Sequence, residues 1–269
     1  NPARAALVQR LKDYNPDLEL LDINSHLYRL RMIKQPLELQ AIQVAIDITI
    51  GSMKDAWRPA KVGGYAHEYQ LEAELTRGFR RRGAQGHAFE PIVASGARSC
   101  TLHNVANDGP LAADELVVMD IGAEVEHYAA DLTRTRALGQ PSRRQQMVHA
   151  AVLEVQDFAL GLLGPGVLLR DYEQQVEHFM GEKLRELGLI KTISHETVRE
   201  LYPHATSHFL GLNVHDVGEY DRPLEPGVVL TVEPGIYIAR ESIGVRIEDD
   251  VLITPKGIKV LSNKLPRDL

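Results

Sequence analysis

Leu116-Val117-Val118-Met119-Asp120-Ile121-Gly122 and Val228-Val229-Leu230-Thr231-Val232-Glu233-Pro234-Gly235 carry one pattern twice. In each, an apolar run rich in β-branched residues reads as a strand. An acid closes the run, and a glycine follows two residues later. Working outward, each acid lies ten residues beyond a Pro-Leu pair, Pro110-Leu111 or Pro223-Leu224. Further upstream, Leu102-His103-Asn104-Val105 matches Val214-His215-Asp216-Val217. The period is about 112 residues, too long for a solenoid repeat and suited to two halves of one fold.

The segments ahead of these motifs agree. Residues 36–58 and 141–163 read as helices, each opened near a proline. Turn sequence follows in both, Lys61-Val62-Gly63-Gly64 and Gly164-Pro165-Gly166. Second helices are expected from about Tyr65 to Arg82 and from about Leu169 to Leu187. Two helices followed by hairpin strands, repeated, make an α+β fold with antiparallel pairing. Pseudo-twofold halves, about 31–140 and 141–269, predict a cleft where they meet.

Composition narrows the function. The 269 residues carry a formal charge of −7, with 44% hydrophobic and 25% charged residues. A net negative chain does not suit binding through nucleic-acid phosphates. The basic run Arg80-Arg81-Arg82 reads as the dipole-matched end of a helix. No stretch is long and apolar enough for a membrane span, so no membrane partner is expected. Cys100 is the single cysteine, which excludes an intrachain disulfide and points to a reducing, cytoplasmic address.

Beyond each acid the chain bends and returns, through Tyr128-Ala129-Ala130-Asp131-Leu132-Thr133 and Gly244-Val245-Arg246-Ile247-Glu248-Asp249-Asp250. Both halves therefore put one acid on an outgoing strand and another on the return, where hairpin pairing brings them together. Four carboxylates in one cleft repel each other and resist burial while charged. Divalent metal is the economical counter-charge, and two ions fit four acids better than one. Solvated acids would not need to recur at matched positions. Oxygen ligands with one imidazole suit Mn²⁺, Co²⁺, Fe²⁺ or Zn²⁺. His204, His208 and His215 cluster within twelve residues and supply the imidazole. The H-E-x-x-H arrangement fails: Leu71 follows His67-Glu68 where histidine is needed, and Arg199 follows His195-Glu196.

With these segments, from about Arg29 to Pro266, the chain resembles the aminopeptidase P and prolidase (Xaa-Pro peptidase) branch of the pita-bread metallopeptidases. Ser207-His208-Phe209-Leu210-Gly211, Thr231-Val232-Glu233-Pro234-Gly235 and Arg246-Ile247-Glu248-Asp249-Asp250 are among the matching motifs. The resemblance implies helices packed on a curved antiparallel sheet. It implies Asp120, Asp131, His208, Glu233 and Glu248 as ligands of two ions, usually Mn²⁺, with Asp131 and Glu248 shared between them. Glu233 would be the general base. His103 and His215 would serve catalysis and, with His204, substrate binding, while Arg246 and Tyr237 hold the acids. The substrate would be a peptide with proline second, and homo-oligomers occur among such proteins.

The same resemblance makes residues 1–30 the last helix and strand of an N-terminal domain and linker, with 31–269 catalytic. Glu233 and Glu248 are fifteen residues apart, closer than in many aminopeptidase P sequences, so a dipeptide-only prolidase stays open. Two other readings compete: a non-catalytic pita-bread binding module, and a cysteine hydrolase using Cys100 and His103. The first is disfavoured by five filled ligand positions. The second is disfavoured because residues three apart on an extended segment face opposite sides.

Overall fold

The computed structural model describes residues 2–58 and 63–269. Helix α1 spans Pro2–Tyr14 and buries nothing, and α2 spans Asn24–Met32. The strand expected before residue 30 is therefore a helix. Asp22 Oδ1 accepts the Asn24 amide at 2.8 Å and starts it, satisfying one of the amides a helix start leaves open.

Helix α3, Pro36–Ala56, begins at a proline that needs no amide partner, with Glu38 reaching back to the Gln35 amide at 2.7 Å. Its inward stripe of Ile42, Ala45, Ile46, Thr49 and Met53 is fully covered, as helical spacing requires. Helix α4, Glu68–Arg81, buries Leu71, Leu75 and Phe79 against it. It starts later than Tyr65 because Ala66 and His67 are used elsewhere: His67 bridges Pro110 and the Ala66 carbonyl accepts Leu111 N–H at 3.0 Å. Of the turn Lys61-Val62-Gly63-Gly64, Lys61 and Val62 lie outside the described residues.

The second half repeats this plan. Helix α5, Arg143–Leu162, is capped by Ser142 and Gln145 in reciprocal fashion, and α6 spans Leu169–Glu186. Leu168 bridges Pro223, and the Val167 carbonyl accepts Leu224 N–H at 2.8 Å. The duplicated Pro-Leu pairs thus make the same two contacts in each half. A short helix, α7, His195–Arg199, follows.

The strands are β1 Gly86–His87, β2 Ile92–Ser95, β3 Leu116–Ile121, β4 Ala123–Val125, β5 Tyr128–Ala129 and β6 Leu132–Ala137. They continue as β7 Val229–Val232, β8 Gly235–Ile238, β9 Ile243–Arg246, β10 Asp249–Thr254 and β11 Gly257–Val260. Their pairings are antiparallel, in the orders β1-β4-β5, β2-β3-β6, β8-β9 and β11-β10-β7. Each half is a hairpin within a hairpin. β3 pairs β6 around the inner pair β4–β5, and β7 pairs β10 around β8–β9.

The glycine of each motif stands at the bend. A Cβ on Gly122 would sit 1.7 Å from the Ala130 carbonyl oxygen, and one on Gly235 would sit 2.5 Å from the Tyr237 hydroxyl. Only glycine admits such approach. Two apolar cores result, one under α3 and α4 and one under α5 and α6. Each takes residues from the opposite half: Leu116 joins the second core, and Leu210, Val229 and Leu261 join the first. The halves consequently share their burial energy, and the cleft between them is built on continuous packing. No described helix is long and apolar enough to cross a membrane.

Candidate metal centre

The returning segments of the two halves meet directly. The Glu248 amide donates to the Thr133 carbonyl at 3.0 Å, and the Arg246 amide to Thr135 Oγ1 at 3.0 Å. This junction brings acids from both halves to one place. In the first half Asp120 opposes Thr133, and Asp131 comes one residue before the Ile121–Leu132 pair. In the second, the ladder ends at Val232 and Asp249, so Glu233 and Glu248 stand side by side at its mouth. A cleft of 590 Å³ covers the junction, lined by Asp120, Asp131, His208, Glu233, Glu248 and Arg246 among others, a size that suits a small ligand.

The polar contacts leave specific atoms unpaired. Asp120 Oδ2 accepts from Arg246 Nη2 at 2.6 Å, and Glu248 Oε2 accepts from Thr133 Oγ1 at 2.6 Å. The other oxygens, Asp120 Oδ1, Asp131 Oδ1 and Glu248 Oε1, are buried with no hydrogen-bond partner. A buried acceptor without a donor is costly. His208 Nδ1 lies 3.0 Å from the Phe209 carbonyl, to which it can only donate. In the neutral ring that leaves a lone pair on Nε2, which faces Glu233 Oε1 at 3.2 Å and Asp131 Oδ2 at 3.4 Å. A lone pair aimed at two carboxylates is repulsive unless a proton or a cation lies among them.

Charge states tell the same story. Burial lowers the His208 pKa to about 4, so the ring is neutral at pH 7. Burial and mutual repulsion raise Asp131 and Glu248 well above ordinary carboxyl values, and burial lifts Glu233 to about 8. The acids thus cannot all ionise together without added positive charge. Asp131, His208 and Glu248 each offer one ligand atom within 4.8 Å of the others. The donor set, its orphaned oxygens and its oriented imidazole fit a metal ion.

A hydrogen-bonded chain walls the other side. Arg246 Nη1 donates to the Tyr237 hydroxyl at 2.8 Å, and that hydroxyl lies 2.8 Å from His204 Nε2. His204 Nδ1 is directed at the Ala205 carbonyl, 2.8 Å away, so Nε2 is the acceptor and the tyrosine donates to it. Burial, then Arg246, hold the His204 pKa near 3, which keeps the ring neutral. His215 stands edge-on to His208, with ring centroids 4.4 Å apart. His103 enters the cleft from the loop after β2 and is exposed. Every site residue expected from the sequence is therefore brought to the one cleft or its wall.

Several supporting residues were not expected. Thr133 holds Glu248, and Asp250 accepts the Asp131 amide at 3.1 Å. Glu173 accepts both the Thr206 amide at 2.7 Å and the Thr206 hydroxyl at 3.0 Å, fixing the loop between His204 and His208. Glu72 does the corresponding work through Asn107 at 2.9 Å, on the loop that carries His103. Both glutamates lie four residues beyond Glu68 and Leu169, the matched starts of α4 and α6. Superposing the duplicated motifs is the signal that finds them. For Cys100, burial raises the thiol pKa, contrary to what a nucleophile needs.

The comparisons with known proteins agree with this geometry. Residues 40–255 match the model of metallopeptidase family M24. The chain is 37% identical over 272 residues to a Xaa-Pro aminopeptidase of Haemophilus influenzae, covering 93% of this chain and 62% of that protein. It is 36% identical over 257 residues to human Xaa-Pro aminopeptidase 3, covering 90% and 50%. Among solved structures, Pseudomonas aeruginosa aminopeptidase PepP superposes with a TM-score of 0.89 at 33% identity, over 100% of this chain and 67% of that one. Escherichia coli aminopeptidase P, in its low-pH form, gives 0.86 at 34%, over 92% and 60%. The chain thus spans 62% and 50% of the length of these two curated relatives. On the strength of the family match across most of its length, the chain belongs to metallopeptidase family M24.

Proposed function

We propose that this chain is the catalytic unit of a Xaa-Pro aminopeptidase, hydrolysing the bond between an N-terminal residue and a following proline. The catalytic fold is residues 31–269, in halves of about 31–140 and 141–269, working in the cytoplasm. The observation that carries the reading is the His208 Nε2 lone pair facing Asp131 and Glu233, with orphaned oxygens of Asp120, Asp131 and Glu248 close by. Relatives named for Xaa-Pro cleavage supply the substrate class.

Asp120, Asp131, His208, Glu233 and Glu248 would hold two divalent ions, Mn²⁺ by preference. When bound, such ions lower the pKa of water and polarise a carbonyl. The protein does the rest. Glu233 takes the proton of the attacking water and passes it to the leaving prolyl nitrogen. Thr231 Oγ1 donates to Glu233 Oε1 at 3.1 Å and fixes the carboxylate for that transfer. His215 and His103 donate to the carbonyl oxygen as negative charge develops there. Arg246, Tyr237 and His204 form a rigid wall for the prolyl residue, which has no N–H needing an acceptor.

The reading is tested by chelating the protein, adding back single metals, and assaying Gly-Pro beside a tripeptide with proline second. Cleavage of the tripeptide, restored best by Mn²⁺, is expected. Cleavage of the dipeptide alone would make it a prolidase. Binding of either peptide without turnover would make it a non-catalytic module.

A further inference from the structure

Glu90 lines the same cleft, and the mechanism leaves it idle. It stands two residues before Ile92, where β2 begins. In β2, Ile92 is the register partner of Asp120. Glu90, Ile92 and Asp120 all line the cleft. Glu90 is exposed and makes no hydrogen bond or ion pair with another described residue. Among the described residues, Arg246 is the only arginine or lysine in the lining, and it is committed to Asp120 and Tyr237.

Phe89, Leu102 and Val105, apolar residues that also come from the first half, share this lining. If His204, Tyr237 and Arg246 of the second half receive the prolyl residue, these first-half residues are left to receive the residue before the scissile bond. An apolar wall ending in an unpaired carboxylate complements one kind of side chain, an aliphatic stem with a cationic tip.

We infer that Glu90 is a specificity-determining residue that favours arginine or lysine at the substrate's N-terminus. The inference rests on the Xaa-Pro reading. The carboxylate acts through charge at a solvent-accessible position, so its effect is modest and falls with added salt. A carboxylate that instead met the α-ammonium, which every substrate has, would not discriminate between first residues.

The test uses Mn²⁺-loaded protein and three tripeptides, Arg-Pro-Ala, Leu-Pro-Ala and Glu-Pro-Ala, at low and high salt. Wild type is expected to rank them in that order by kcat/KM. Glu90→Gln should lower the Arg:Leu ratio by about fivefold at low salt, and Glu90→Arg should raise Glu-Pro-Ala above Arg-Pro-Ala. An unchanged Arg:Leu ratio in Glu90→Gln would overturn the inference, and an equal slowing of all three substrates would do so by assigning Glu90 to the α-ammonium. Failure of wild type to cleave any of the three would instead sink the Xaa-Pro reading, and this inference with it.

Discussion

The two halves of the molecule share a skeleton and divide the chemistry. Both have two helices, a Pro-Leu bridge, and a hairpin nested in a hairpin. Of the proposed metal ligands, the first half brings only carboxylates, Asp120 and Asp131. The second brings Glu233 and Glu248 together with the imidazole His208 and the cation Arg246. Duplication supplies acids in symmetric pairs, and divergence in one copy supplies the groups that orient them. Among the described residues, the trio whose ligand atoms lie within 4.8 Å of one another, Asp131, His208 and Glu248, draws on both halves.

The comparison is broken most forcefully by removing one acid from each half. Asp120→Ala and Glu248→Ala should each lower kcat/KM by at least about a thousandfold. Bound metal, read by elemental analysis, should fall with it. If the first-half variant kept its metal and turnover, the centre would belong to the second half.

A smaller effect separates the two cores. His149, on α5, is buried with Nε2 unpartnered, and burial lowers its pKa to about 4. Unfolded, its pKa is near 6.5, so the unfolded chain takes up this proton first as pH falls. The neutral ring's contribution is full above about pH 6.5 and is lost down to about pH 4. Denaturant unfolding should show the stability of wild type, relative to His149→Gln, falling by about 3 kcal/mol between pH 7 and pH 4. An unchanged difference would mean that His149 is protonated in the fold.

Smaller still is the difference between the paired glutamates. Glu173 fixes the loop of His204 and His208, while Glu72 fixes the loop of His103. Glu173→Gln should weaken Mn²⁺ affinity about tenfold. Glu72→Gln should leave affinity unchanged and lower kcat through His103. Calorimetric titration of both variants checks this, and equal losses of affinity would erase the distinction. At the bottom of the scale, Cys100→Ala should change kcat by less than about twofold, whereas a cysteine hydrolase would lose all turnover.

How far the sequence could be read follows the range of the interactions. The nested hairpins were legible because Asp120, Gly122, Glu233 and Gly235 repeat at one spacing and sit inside apolar runs. The helices of both halves were legible from the period of their buried faces. The late start of α4 was not, because it depends on His67 finding Pro110, a strand-like contact made across the fold. Nor was α2, whose exposed Leu27 and Leu30 leave a weak apolar stripe. The four acids and the imidazole could be picked out, but their supports could not. Glu72 meets Asn107 across 35 residues, and Thr133 meets Glu248 across 115. No local pattern encodes such pairs, and only alignment of one half on the other hints at them.

The most direct measurement strips the protein with a chelator, counts bound metal, and assays a tripeptide with proline second before and after Mn²⁺ is returned. Loss of turnover on stripping, with recovery as two ions bind per chain, is the predicted result. Full turnover by protein free of metal would contradict the convergence of both halves on dications.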